Sequence, residues 1–127
     1  DQAIELYQQE QAKLGLANVL LMQGILLLSE NQPEQALSVY AQALPLYQAE
    51  QDPTGLAYTL AEIIRCQQRL GHLEELEQLA VAALQAASAS NTPPVVQYVL
   101  RALYEACDED EAKLQAFLTA LEASSTA

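Results

Sequence analysis

The sequence predicts an all-α fold, a stack of antiparallel helix hairpins, and three observations carry that reading. Leu, Ala, Gln and Glu dominate, side chains that lose little rotamer freedom in a helix, whereas the chain has only 4 Gly and 5 Pro. Apolar residues recur at helical spacing, as in Ala36, Tyr40, Ala43, Leu44 and Tyr47, or Leu114, Phe117, Leu118 and Leu121. The chain also repeats itself: residues 2–20 match residues 42–60 at an offset of 40, with eleven identical pairs that include Leu6/Leu46, Tyr7/Tyr47, Gly15/Gly55, Ala17/Ala57 and Leu20/Leu60. A weaker third copy runs from Ala83 and Leu84 through Pro93, Val96 and Leu100. A short period of this kind marks units that bury their apolar faces only by stacking on one another.

Taken in order, the elements are set by local punctuation. A helix over 1–13 reads as the trailing helix of a preceding repeat, and a second over 15–30 is apolar nearly all round from Val19 to Leu28. Pro33, following Asn31, opens a helix over 33–50; Pro45 lies inside it, where it removes a backbone bond to Ala41, so a kink is expected there. Asp52-Pro53 opens a helix over 54–70 that Gly71 closes. The next helix, 73–89, starts among Glu74, Glu75 and Glu77, which suit the positive end of a helix dipole. Thr92-Pro93 opens 93–107, and the run Asp108-Glu109-Asp110-Glu111 should cap the last helix, 110–124. Seven helices in one domain, 1–127, result, paired as hairpins 15–50, 54–89 and 93–124.

Five basic against seventeen acidic side chains leave a net charge of −12, which disfavours nucleic acid and anionic membrane surfaces. The apolar run Val19–Leu28 is about half of what a bilayer crossing needs and is interrupted by Gln23 and Gly24, so no membrane insertion is expected. Cys66 and Cys107 stand far apart in sequence and are expected to be unpaired thiols in a reducing, cytoplasmic setting. His72 is the lone histidine, and the acidic run lacks the alternating ligands and turn glycine of a calcium loop. No catalytic set, metal or cofactor is therefore expected, and the chain does not read as an enzyme. It begins at Asp1 without methionine and reads as an excerpt of a longer protein.

The stretch from Gly24 through Ala36, Tyr40 and Ala43 resembles the small, small, aromatic, small signature of tetratricopeptide repeats, and motifs such as ALPLYQAEQDPTGLAYTL with a 40-residue period resemble the long-repeat variety of large bacterial multidomain proteins. The resemblance implies a right-handed α-α superhelix in which the small residues let paired helices approach and the aromatic fills the space between hairpins. It further implies a concave groove lined by the first helix of each pair. By the register of Gly24, the groove positions are Asn18, Leu21, Ile25 and Leu28 in the first hairpin; Tyr58, Ala61, Arg65 and Arg69 in the second; and Tyr98, Arg101, Glu105 and Asp108 in the third.

Three of the five basic residues fall on this surface, and Tyr58 and Tyr98 are one period apart, so aromatic and guanidinium groups should stand side by side. A structural role competes with a ligand role, since Arg65 and Arg69 plus 40 fall on Glu105 and Glu109, and Arg101 and Glu105 are spaced for a pair within one helix. The expected function is a protein-interaction module holding a partner's peptide or helix in the groove, within a larger bacterial protein. The alternatives are a ligand-sensing arm of a regulatory ATPase-type protein and a scaffold that self-associates, as a homo-oligomer, through its apolar groove or open ends.

Overall fold

The computed structural model describes residues 2–126, with backbone only at Tyr7 and 124–126; Asp1 and Ala127, the ends of the expected 1–127 domain, lie outside the described residues. Within them the chain is entirely helical, without a strand: α1 (Gln2–Ser29), α2 (Pro33–Ala49), α3 (Pro53–Leu70), α4 (Leu76–Ser90), α5 (Pro93–Ala106) and α6 (Glu111–Thr126).

Six helices stand where seven were expected, because 1–13 and 15–30 are one continuous helix. The second repeat shows what such a break requires, for there Asp52 and Pro53 stop one helix and start the next. Asp52 Oδ1 there accepts from the amides of Thr54 (3.1 Å) and Gly55 (3.2 Å). The first repeat has Ala12 and Lys13 at those positions, two good helix formers that neither cap nor interrupt. The helix therefore runs on for 28 residues, about 42 Å at 1.5 Å per residue. It outreaches the 17-residue α2 it packs against, and the described side chains before Leu14 are exposed. The fused α1 is also the one helix, among the described residues, long and apolar enough to cross a membrane, with a mean hydropathy of 1.6.

Other boundaries follow the punctuation. Gly71 closes α3 in the left-handed conformation (φ 75°), which costs glycine little. Asp110, from the acidic run, accepts from the amides of Ala112 (2.9 Å) and Lys113 (3.2 Å) and so caps α6. Glu75 does not act in that way at α4: its side chain makes no capping bond, and the helix starts at Leu76, three residues later than expected, after a turn through His72–Glu75. No Ser, Thr, Asp or Asn is available there to satisfy the first amides. The helix of α2 continues through the exposed Pro45 to Ala49.

Each helix packs on its neighbour in sequence, and α1 with α3, and α3 with α5, also touch. The odd helices thus lie side by side. The main core joins α3, α4 and α5 through Ala57, Leu60, Ile64, Ala80, Ala83, Val95, Val99 and Leu103, with Leu121 of α6 at its edge. Between α1 and α3 the filling is aromatic. Tyr40 and Tyr47 of α2 are both fully buried, and each ring lies where a side chain on a neighbouring glycine would have to go: Tyr40 against Gly24 of α1, Tyr47 against Gly55 of α3. Gly24 and Gly55 thus serve close approach between helices, which a Cβ would prevent.

Candidate functional site

The packing of α3 against α5 builds a part-buried polar cluster. Its centre is Glu62, on the inward side of α3 and only 3% exposed. Such a carboxylate is tolerated only if its charge and lone pairs are answered. Arg65 Nη1, one helical turn on, donates to Glu62 Oε1 at 2.5 Å, the Tyr98 hydroxyl of α5 donates to the same oxygen, and the Tyr40 hydroxyl of α2 reaches Oε2 at 3.4 Å. Three helices are tied through one side chain.

Arg65 extends the cluster outward. Its Nε donates to Glu105 Oε2 at 2.8 Å, and its guanidinium lies 4.7 Å from the centroid of the Tyr98 ring, within cation–π range. Burial works to lower its pKa, but the Glu105 hydrogen bond and the Glu62 charge outweigh it and hold the guanidinium protonated. Tyr58 meets Tyr98 edge to face, centroids 4.7 Å apart. Gln68 donates to the Glu105 carbonyl at 3.0 Å.

The expected groove residues divide accordingly. Tyr58, Arg65, Tyr98, Arg101 and Glu105 are brought together across α3 and α5. Of the two pairings expected one period apart, Arg65 with Glu105 is present, whereas Arg69 donates to the backbone carbonyl of Leu28 at 2.7 Å, tying α3 to the last turn of α1. That carbonyl lies among those a helix end leaves without an intrahelical partner. Arg101 is 64% exposed; its Nε is 3.8 Å from Glu105 and its guanidinium stands 5.8 Å from the centre of the Tyr104 ring. Among the predicted arginines it is the most lightly engaged.

Two groove assignments require correction, Leu28 in the first hairpin and Ala61 in the second. Leu28 is 4% exposed, packed with Ala36, Tyr40, Ile63 and Cys66, so its surface belongs to the core. Ala61 is likewise fully buried. Asn18 accepts from the Tyr47 hydroxyl at 2.6 Å, a bond that answers a buried phenol. Leu21 is half-buried and Ile25 exposed.

Sequence reasoning missed Glu62, although its signal was available: a single charge inside the apolar run Leu60–Ile64, three residues before an arginine. Tyr40 was recognised as packing and not as a hydroxyl aimed at that charge.

Three surface concavities bear on binding. One of about 270 Å³ is lined by Arg65, Gln68, Arg69, Glu105 and Glu109, and one of about 400 Å³ by Gln97, Leu100, Arg101, Tyr104, Glu111 and Leu114. The largest, about 550 Å³, lies elsewhere, between α2, α3 and α4, where Tyr47, Leu56, Leu60, Ala82 and Ala86 give it an apolar lining, and it contains none of the expected site residues. Among the described residues no group of three His, Cys, Asp or Glu side chains is gathered as a metal site would require, and His72 is exposed in the α3–α4 turn. Cys66 and Cys107 are free thiols.

The buried hydroxyls make the fold sensitive to alkali. Burial, aided by the Asp52 charge, pushes Tyr47 up to about 12, and burial with the Glu62 hydrogen bond does the same to Tyr98. Tyr40 is raised further, by burial and then the Glu62 charge, and burial pushes the Cys66 thiol up to about 12. In the unfolded chain these groups lose their protons near their ordinary values, about 8.5 for Cys and 10 for Tyr. Above those values the unfolded state binds fewer protons than the folded one, so stability falls as pH rises. Thermal melts followed by circular dichroism should show these groups contributing little pH dependence up to about pH 8 and a steep fall in Tm between about pH 9 and 12. A Tm unchanged across that window would mean the hydroxyls are solvated.

Comparison with known proteins finds no family model, no curated protein and no solved structure that matches the chain.

Proposed function

We propose that this chain is an interaction module of the tetratricopeptide kind, a right-handed superhelix of hairpins that holds a peptide or helix of a partner protein along the face made by α1, α3 and α5. One observation carries the reading: the odd helices lie side by side, so residues 40 positions apart, Tyr58 with Tyr98 and Arg65 with Glu105, meet on one continuous surface. Paired aromatic rings flanked by guanidinium and carboxylate groups offer flat apolar contact and directional charged hydrogen bonds without a reactive centre. The resemblance in sequence supports placement in a larger bacterial protein of the cytoplasm. The cavity between α2, α3 and α4 favours a second reading, a ligand-sensing arm, since its volume falls in the range of small-molecule sites.

Arg65 is a poor probe of binding, because removing it strands Glu62. Arg101 and Tyr58 are better, since neither bonds Glu62: Arg101 is largely exposed, and Tyr58 is half-buried against the Tyr98 ring. With a peptide ligand selected from a displayed library, Arg101→Ala and Tyr58→Ala are expected to weaken binding by about 30-fold or more in calorimetric titration, the loss of an interface anchor of about 2 kcal/mol. Glu77→Ala on exposed α4 surface should change it less than about twofold. Affinity indifferent to both Arg101 and Tyr58, but lost on filling the α2–α3–α4 cavity from its exposed rim with Ala89→Trp, would replace the groove reading with the sensor one.

A further inference from the structure

Helices α2 and α4 both pack on α3 and make little contact with one another. The gap between them, at the C-terminal ends of α2 and α4 and the start of α3, is the cavity of about 550 Å³. Small side chains make it. Ala82, Ala86 and Ala89 recur at helical spacing on α4, and Ala86 stands where α2, one period earlier, carries the larger Leu46. The lining residues run from Tyr47 to Ala89, so α2 and α4 wall the space on both sides and neither end helix of the stack bounds it.

The lining decides what chemistry fits. Its floor is apolar, from Leu56, Leu60 and Ala86, and its polar groups are three glutamine amides and one carboxylate, Asp52. Among the described residues, no arginine, lysine or histidine lines it. The positive end of α3, where an anion would otherwise settle, is closed: Asp52 Oδ1 already accepts from the amides of Thr54 and Gly55, and Pro53 has no amide hydrogen. Asp52 is half-buried, and among the described residues its Oδ2 carries no hydrogen bond, so one carboxylate oxygen is left to accept. Its charge is felt at the cavity wall, where it adds to burial in pushing the Tyr47 hydroxyl up to about 12. A carboxylate at the edge of an apolar space with no cation beside it selects positive charge.

We infer that this cavity binds an organic monocation, an ammonium group on an aromatic or aliphatic body, with the body on Leu56, Leu60 and Ala86 and the ammonium on Asp52. The inference rests on the sensor reading of the same cavity and names its ligand class; the peptide groove on α3 and α5 stands or falls apart from it. A net charge of −12 draws any cation toward the chain, so the site is distinguished by its demand for both the apolar body and Asp52.

Calorimetric titration of the full chain at neutral pH with three probes of one shape tests it: tryptamine, a cation; tryptophol, its neutral analogue; and indole-3-acetate, an anion. Tryptamine should bind one to one and at least about tenfold more tightly than tryptophol, the gain of a charge-assisted hydrogen bond, with indole-3-acetate weakest. Asp52→Asn keeps a capping oxygen and removes the charge, so it should bring tryptamine to the level of tryptophol with helical circular dichroism unchanged. Glu77→Gln, the same change of charge outside the cavity, should leave tryptamine affinity within about twofold. Ala89→Trp, which fills the cavity from its rim, should abolish binding of both. Should Asp52→Asn misfold, the wild type decides through salt, which should weaken tryptamine binding and leave tryptophol unaffected. Tryptophol binding as tightly as tryptamine overturns the cation and leaves a sensor of neutral ligands. Tryptamine binding that neither Asp52→Asn nor Ala89→Trp reduces is attraction to the acidic surface at large and overturns the site. Binding by none of the three probes overturns the inference and the sensor reading together.

Discussion

Glu62→Ala is expected to lower the stability of the fold by about 3–5 kcal/mol, the cost of breaking a buried ion pair by removing one partner. The substitution leaves Arg65 with Glu105 alone and strands the Tyr40 and Tyr98 hydroxyls away from solvent. Glu62→Gln should cost less, since it keeps acceptor capacity for Tyr98 while losing the charge opposite Arg65. The repeat supplies an informative double variant, because the first copy has Met22 and Ile25 where the second has Glu62 and Arg65. Glu62→Met with Arg65→Ile removes both charges and should destabilise by less than the sum of the single changes, the coupling appearing as a double-mutant-cycle energy of about 1–3 kcal/mol in urea unfolding. A loss of under about 1 kcal/mol for Glu62→Ala would show that water reaches the carboxylate and that the network is worth no more than a surface pair.

Alanine at Gly24 or Gly55 should destabilise by about 1–3 kcal/mol, although alanine is by propensity the better helix former by about 1 kcal/mol. The new methyl group must occupy the place of the Tyr40 ring in one case and the Tyr47 ring in the other, and both rings are fully buried with their hydroxyls tied, so neither moves cheaply. Gly15, which repeats as Gly55, has open space around it, and Gly15→Ala should stabilise by about 0.5–1 kcal/mol. Opposite signs at two positions of the same repeat, read from chemical unfolding midpoints, are the decisive result. Shrinking the ring's place by Tyr40→Leu should relieve much of the penalty of Gly24→Ala. Stabilisation at all three glycines would mean that the tyrosines do not fill the spaces between hairpins.

Much of the fold was legible because its determinants are local. Pro33, Pro53 and Pro93 mark three helix starts through a fixed φ and a missing amide, Gly71 marks one end through its left-handed backbone, and Asp110 caps α6 from within two or three residues. The period predicted which residues would meet across α3 and α5, since helices stacked at a constant offset bring position n against n plus 40, as with Tyr58 and Tyr98. The helix count differed where one repeat lacks the punctuation of another. Ala12 and Lys13 lack the capping oxygen and ring of Asp52 and Pro53, and without them nothing ends α1.

The candidate site was legible in its members and not in their bonds. Sequence spacing could place Arg65, Arg69 and Arg101 on one surface, but each guanidinium can reach several acceptors, and choosing among them depends on helix separation and rotation. Arg69 therefore takes the Leu28 carbonyl, while Arg65 bridges two carboxylates.

By itself the sequence determined the helical class, the period and most helix ends, because propensity, capping and hydrophobic spacing act within a few residues of chain. Only the tertiary structure decided that Glu62 is the centre of the polar cluster, that Leu28 lies in the core, and that Asp110 but not Glu75 caps a helix. Burial is a property of what stands opposite a side chain. No local pattern distinguishes the apolar side chains of a helix that are covered from those that are not.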